Sequence, residues 1–63
     1  MSNELVEIFG TIVHETDSAI LLNDGDTEAW LPKSKIDYPI SSGIGDDVLV
    51  GVEEWLAINA GFI

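Results

Sequence analysis

The order of apolar and polar residues along the chain predicts a succession of short β-strands. Residues 5–13 alternate with a period of two, yet apolar side chains occupy both faces of the predicted strand. Gly10 interrupts it, and a glycine inside a strand typically marks a bulge or a sharp bend. We therefore expect a bent strand shared between two sides of a small barrel. Its two predicted faces are Val6, Ile8 and Ile12 on one side and Leu5, Phe9 and Val13 on the other.

A hairpin turn is the clearest local signal in the chain. Asp24-Gly25 supplies the positive backbone angles that a tight hairpin requires. We expect residues 19–22 and 27–31 to be strands that pair across it, with a second turn at residues 15–18. Trp30 falls on the face opposite Leu31, either as a core residue of a second face or as an exposed aromatic side chain.

The second half of the chain predicts a helical turn, a loop, a strand and a short helix. Residues 32–35 begin with proline and predict one helical turn, after which Ile36 anchors the chain. Residues 37–47 have loop composition, and residues 48–52 predict the last strand. Residues 53–60 predict a helix that ends at Gly61. The expected anchors are Tyr38, Ile40 and Ile44 in the loop, and Trp55, Ile58 and Phe62 from the helix as a plug for the barrel.

These elements predict one mainly β (α+β) domain spanning residues 1–63. We expect a small bent antiparallel sheet or partly open β-barrel of four to five strands, with a short C-terminal helix over one opening. A chain of 63 residues buries little surface, and with no cysteine and one histidine it lacks disulfides and a clear metal site. No cofactor is expected, and a homodimer is the remaining means of added stability.

The net charge of the chain narrows the classes of molecule that we expect it to bind. The chain contains twelve acidic residues, two lysines and no arginine, which gives a net charge of −10. Such a surface repels phosphate backbones and anionic membranes, so we expect no direct binding to nucleic acid or membrane. It attracts basic proteins, unless its acidity serves only solubility. The predicted partner-binding acids are Asp24, Asp26, Glu28, Asp46, Asp47, Glu53 and Glu54.

Location and catalysis follow from what the sequence lacks. No apolar run approaches the roughly 18 residues of a membrane span, and the first four residues do not resemble a signal peptide, so we expect a cytoplasmic protein. His14 has no evident catalytic partners, and Asp24-Gly25-Asp26 fits a hairpin far better than a calcium loop. We therefore predict neither an enzyme nor a metal site.

One segment has the local chemistry of an anion or nucleotide site. Trp30, Lys33, Ser34 and Lys35 combine a stacking surface, both cations of the chain and a hydroxyl group. The alternative is that Trp30 belongs to the core and the lysines pair with neighbouring carboxylates.

The chain resembles small uncharacterised domains that are common in bacteriophage and prophage proteins. The resemblance covers residues 10–63, although this chain is shorter and more acidic and has a Gly- and Ser-containing loop at residues 41–45. The resemblance implies a phage origin and does not assign a chemical activity. The matching blocks are His14-Glu15-Thr16, Ala19-Ile20-Leu21, Glu28-Ala29-Trp30-Leu31-Pro32-Lys33-Ser34 and Glu54-Trp55-Leu56-Ala57 followed by Gly61.

Three functions are therefore expected, in this order. The first is a phage-type accessory protein that binds and inhibits or modulates a host protein, as an anti-CRISPR-like acidic antagonist of a nucleic-acid-handling complex in the host cytoplasm. The second is capture of a small anion or nucleotide by residues 30–35. The third is a structural or assembly module that associates through exposed apolar residues such as Phe62 and Ile63.

Overall fold

A computed structural model describes residues 4–63, in which five antiparallel strands form one open sheet with a short helix against one face. The predicted fold class is confirmed. The prediction about a signal peptide concerns mainly residues 1–3, which lie outside the described part of the chain. In residues 4–63 no helix is long and apolar enough to cross a membrane. The elements are β1 Leu5–Glu15, β2 Ala19–Asn23, β3 Glu28–Pro32, a 3-10 turn Lys33–Lys35, β4 Ile36–Asp37, β5 Asp47–Glu53 and α1 Glu54–Ala60.

The long strand β1 lies at the centre of the sheet, whose strand order is β3-β2-β1-β5-β4. Its first half pairs with β5 and its second half with β2, so β1 joins two neighbours within one open sheet, and the prediction that it is shared between two sides of a barrel is wrong. The pairing register shifts between Ile12 and His14, which places a bulge at Val13 and not at Gly10. Gly10 has a different role, because a Cβ atom there would lie 2.6 Å from the backbone oxygen of Asn23.

One face of the sheet forms the core beneath α1. Every second residue of the central strands points to this face, as the alternation predicts. The helix adds Ala57, which is fully buried. The buried apolar residues are Ile8, Ile12, Ile20, Leu22, Leu31, Val48, Val50, Val52 and Ala57.

The helix turns a different stripe to the core from the one predicted. Trp55 and Ile58 are about half exposed, so their predicted role as a plug is wrong. The helix contacts the core through Ala57, its one buried residue, and partly buried neighbours flank this contact. Phe62 packs against the core as predicted, because the N–H of Phe62 donates to the carbonyl of Ala57 beyond the left-handed Gly61.

The loop between β4 and β5 is attached at fewer points than predicted. Tyr38 packs against the core, but Ile40 is 88% and Ile44 64% exposed, so neither is an anchor. The N–H of Asp46 donates to the carbonyl of Gly43, and Gly45 takes the positive φ of 92° that this turn requires. The turn holds Ile44 at its outer corner, away from the core.

Candidate protein-binding surface

The face of the sheet opposite α1, the outer face, carries a cluster of exposed apolar side chains on β1 and β5. Phe9 lies directly opposite Leu49 in the antiparallel register, and these side chains are 63% and 49% exposed. Leu5 leans over the next strand, since its Cδ1 lies 3.3 Å from the position that a Cβ on Gly51 would occupy. We call Leu5, Phe9 and Leu49 the β1–β5 patch.

Carboxylates surround this patch. Glu7 lies between Leu5 and Phe9 on the outer face of β1, and Asp37 of β4 is paired with Gly51. Asp47 and Glu53 lie at the two ends of β5. These four residues form the acidic rim. Asp47 and Glu53 are predicted partner-binding residues, whereas Glu7 and Asp37 were missed, because only the strand register shows that they flank an apolar patch.

Hydrogen bonds hold the two rim carboxylates of β5. Thr11 donates its hydroxyl to Asp47 Oδ1 at 2.5 Å, and the indole Nε1 of Trp55 donates to Glu53 Oε1 at 2.8 Å. Both bonds lie at the exposed surface. The contact with Glu53 agrees with the exposed position of Trp55, outside the core.

A polar band crosses the outer face beside the patch. Thr11 pairs with Asn23 on one side and with Asp47 on the other, and Asn23 pairs with Glu28. The amide of Asn23 donates to Glu28 Oε1 at 3.0 Å. Three strand spacings of about 4.8 Å separate β3 from β5, so the band is about 14 Å wide. Glu28 therefore shares a row with Asp47 but lies outside the rim.

The other predicted acids are distributed elsewhere, and two of them stabilise turns. Asp24 Oδ1 accepts the backbone N–H groups of Asp26 and Thr27 at 2.9 and 2.7 Å, and these hydrogen bonds lower the pKa of Asp24. Asp46 Oδ2 accepts the N–H of Gly43 at 2.8 Å. Asp26 lies in the β2–β3 hairpin, and Glu54 is in the first turn of α1.

The structure separates the residues of the predicted anion site. Trp30 is half exposed on the outer face, opposite Leu21. Lys33 Nζ lies 2.7 Å from Glu15 Oε2, and this partner raises the pKa of the lysine. Glu15 is in register with the buried Ile20, so this ion pair belongs to the opposite side of the sheet from Trp30. Ser34 and Lys35 are exposed on the 3-10 turn.

The part of the chain that the structure describes has no enclosed site for a small ligand or a metal ion. Residues 4–63 form no cavity and bring together no group of three or more side chains suited to hold a metal ion. The β1–β5 patch with its acidic rim is thus the surface with the most distinctive chemistry. Comparison of the chain with protein-family models, with curated proteins and with solved structures gives no match.

Proposed function

We propose that this protein is a binding module that docks the β1–β5 patch onto a basic protein surface. In this proposal it is a phage-type accessory protein that inhibits or modulates a host nucleic-acid-handling complex, in the manner of an anti-CRISPR antagonist. The observation that supports docking is the exposed Phe9–Leu49 pair inside a rim of four carboxylates. The phage context is supported by the resemblance of residues 10–63.

The patch has the composition of an interface centre. Apolar side chains exposed side by side and bordered by polar groups are typical of protein-binding surfaces. Aromatic residues at the centre of such surfaces contribute most of the binding free energy, and the surrounding polar rim excludes water. Phe9 is the aromatic residue of this centre, with 63% of its side chain exposed.

Charge selects a basic partner. Residues 5–11, 36–37 and 47–53 contain no lysine, arginine or histidine, so the strand segments that carry the rim carboxylates contain no basic side chain. A partner that places lysine or arginine against the rim gains complementary electrostatic potential and faster association. Two copies of this chain would instead bring together two rims of the same sign on molecules of net charge −10.

The test compares two patch variants with two matched controls. Phe9→Thr with Leu49→Thr removes the apolar centre and introduces threonine, a β-branched residue that is favourable in strands. Glu7→Lys with Asp37→Lys reverses half of the rim. Ile40→Thr with Ile44→Thr removes two apolar residues of the loop that are at least as exposed, and Asp17→Lys with Asp26→Lys makes the same charge change in two turns.

The partner is first captured from host lysate at low salt, identified, purified and titrated with each variant. We expect both patch variants to lose about 30-fold or more in affinity, as for hot-spot residues, and both controls to lose less than about threefold. Charge reversal should slow association, and added salt should weaken wild-type binding. Unchanged affinity of both patch variants, or equal losses in the controls, would contradict the proposal.

Nucleotide capture by residues 30–35 is the second candidate. It is favoured by the exposure of the Trp30 indole and of Lys35, but Lys33 already pairs with Glu15. A thermal-shift panel of nucleotides should show stabilisation that disappears in Lys33→Ala if this site exists. The patch proposal predicts no shift.

A further inference from the structure

The outer edge of β3 exposes backbone groups that point away from the sheet. β3 is the last strand on its side, and it pairs only with β2 among the described strands. The N–H of Asp24 donates to the carbonyl of Thr27 at one end of this pair, and the N–H of Lys33 donates to Ser18 at the other end. Antiparallel pairs alternate between bonded and non-bonded positions. Ala29 and Leu31 are therefore bonded to β2, whereas the N–H and C=O groups of Glu28 and Trp30 point outward.

Most of the usual protection of an edge strand is missing at these two residues. Natural edges are blocked by lysine and other charged side chains, by proline, by a bulge or by a covering element. The single charged residue of β3 is Glu28, whose carboxylate accepts a hydrogen bond from the Asn23 amide. β3 contains no lysine, its register with β2 is continuous, and its proline is the last residue, Pro32. The end of α1 reaches the neighbouring turn, where the Thr27 hydroxyl donates to the carbonyl of Gly61.

We infer that the edge of β3 binds an extended peptide segment with alternating basic and apolar side chains by strand addition. Strand addition supplies main-chain hydrogen bonds for affinity and alternating side-chain contacts for specificity. This is a second interaction surface, distinct from the β1–β5 patch and independent of the proposed function.

The side chains of β3 define the alternation. Glu28 and Trp30 lie on the outer face, where a lysine or arginine of the peptide pairs with the carboxylate or stacks on the indole. Leu31 and Ala29 lie on the core face, where apolar side chains of the peptide extend the hydrophobic surface. Edge-to-edge pairing of two copies is disfavoured by the repulsion between molecules of net charge −10.

The test titrates the protein with a short synthetic peptide of alternating arginine and valine. Amide hydrogen exchange, measured by NMR, should slow by about tenfold or more at Glu28 and Trp30, as expected for newly formed backbone hydrogen bonds. A peptide of the same sequence, N-methylated at alternate residues on the bonding edge, keeps its side chains but lacks those donors and should bind at least about tenfold more weakly. No change at the two amides, or equal affinity for both peptides, would refute strand addition.

Two protein variants distinguish the contribution of the Glu28 backbone to peptide binding from that of its side chain. Glu28→Ala and Glu28→Pro both remove the carboxylate, but only the proline removes the outward N–H, which bonds to nothing in β2. The proline variant should lose about tenfold more affinity than the alanine variant; equal affinity overturns the inference. If the proline variant does not fold, the two peptides decide the question alone.

Two further measurements test whether the peptide binds to the β1–β5 patch instead, and whether a second copy of the chain occupies the edge. Phe9→Thr with Leu49→Thr should leave peptide affinity unchanged, whereas a loss would place the peptide on the β1–β5 patch and overturn the edge site. Light scattering should give the mass of one chain. A doubled mass with slow exchange at Glu28 and Trp30 in the absence of peptide would instead assign the edge to a second copy.

Discussion

Gly10 lies in the middle of β1, close to the backbone of Asn23 at the end of β2. An added Cβ would meet the oxygen of Asn23 at 2.6 Å and Leu22 Cγ at 3.2 Å, and the first of these atoms is backbone. Gly10→Ala should therefore force the two strands apart and lower the free energy of unfolding by about 1–3 kcal/mol. Gly43→Ala is the control, since nothing lies within 4 Å of its Cβ position. Urea unfolding compares the two, and equal stability of both variants would contradict this role for Gly10.

Asp24 makes the hairpin sensitive to pH. Its pKa is lowered in the folded protein by the N–H groups of Asp26 and Thr27. A lowered folded-state pKa means that the carboxylate contributes stability above the unfolded-state pKa of about 4, and that this contribution is lost as the pH falls through the folded value. Asp24→Asn keeps an acceptor oxygen but removes the charge.

The variant should consequently be less stable than the wild type at pH 7 and equal to it at a pH below the folded-state pKa of Asp24. Urea midpoints at several pH values measure the difference. A difference that stays constant across this range would show that the charge of Asp24 is not responsible.

At the scale of elements, α1 is too short to be stable by itself, so its packing decides its stability. Ala57 is fully buried against the sheet, whereas Ile58 is 55% exposed. Ala57→Leu should cost about 1–3 kcal/mol because the larger side chain forces the helix away from the sheet. Ile58→Ala should change stability by less than about 0.5 kcal/mol. Chemical denaturation distinguishes the two, and a larger cost for Ile58→Ala would contradict the observed stripe.

The same helix shows what the sequence can and cannot predict about an element. Its existence and its end at Gly61 follow from local composition, and the spacing of Trp55, Ile58 and Phe62 is helical. Which stripe faces the core depends on how the chain leaves β5 at Glu53, a tertiary property. The buried residue of the helix is the small Ala57, so the spacing of the largest apolar residues does not indicate the stripe that faces the core.

Strands were more predictable, because Asp24-Gly25 and a period of two are local signals. Both strands of the hairpin lie within one residue of their predicted bounds. The bulge at Val13 has no comparable signal in the sequence, since the glycine that suggested one serves a close contact at another position.

At the scale of the molecule, self-repulsion should oppose folding. A net charge of −10 is carried by a chain with a radius of gyration of only 10.5 Å. The Debye length is about 10 Å at 0.1 M salt. The repulsion between carboxylates on opposite sides of the protein is therefore screened only as the salt concentration rises. The thermal midpoint should therefore increase between about 0.01 M and 0.5 M sodium chloride. A falling midpoint would show that attractive pairs such as Lys33–Glu15 outweigh the repulsion.

The candidate surface combines a predictable and an unpredictable part. Composition alone predicts an acidic surface and a basic partner. The apolar patch depends on the pairing of Phe9 with Leu49, which are far apart in the chain. Without that register, the second apolar face of β1 indicates the other wall of a barrel, whereas in the structure this face lies exposed on an open sheet.

The double pairing of β1 also has a consequence for the order of folding. Its contacts with β2 close a short turn, but Thr11 and Asp47 are 36 residues apart. Pairings distant in sequence require more chain entropy to be lost before they form, and they slow folding. The β1–β2–β3 meander should thus form early, and β5 should dock late. In stopped-flow experiments, Leu22→Ala should mainly slow folding, whereas Val50→Ala should mainly accelerate unfolding. The β1–β5 patch would then be completed only in the last step, so partly folded chains would not present it.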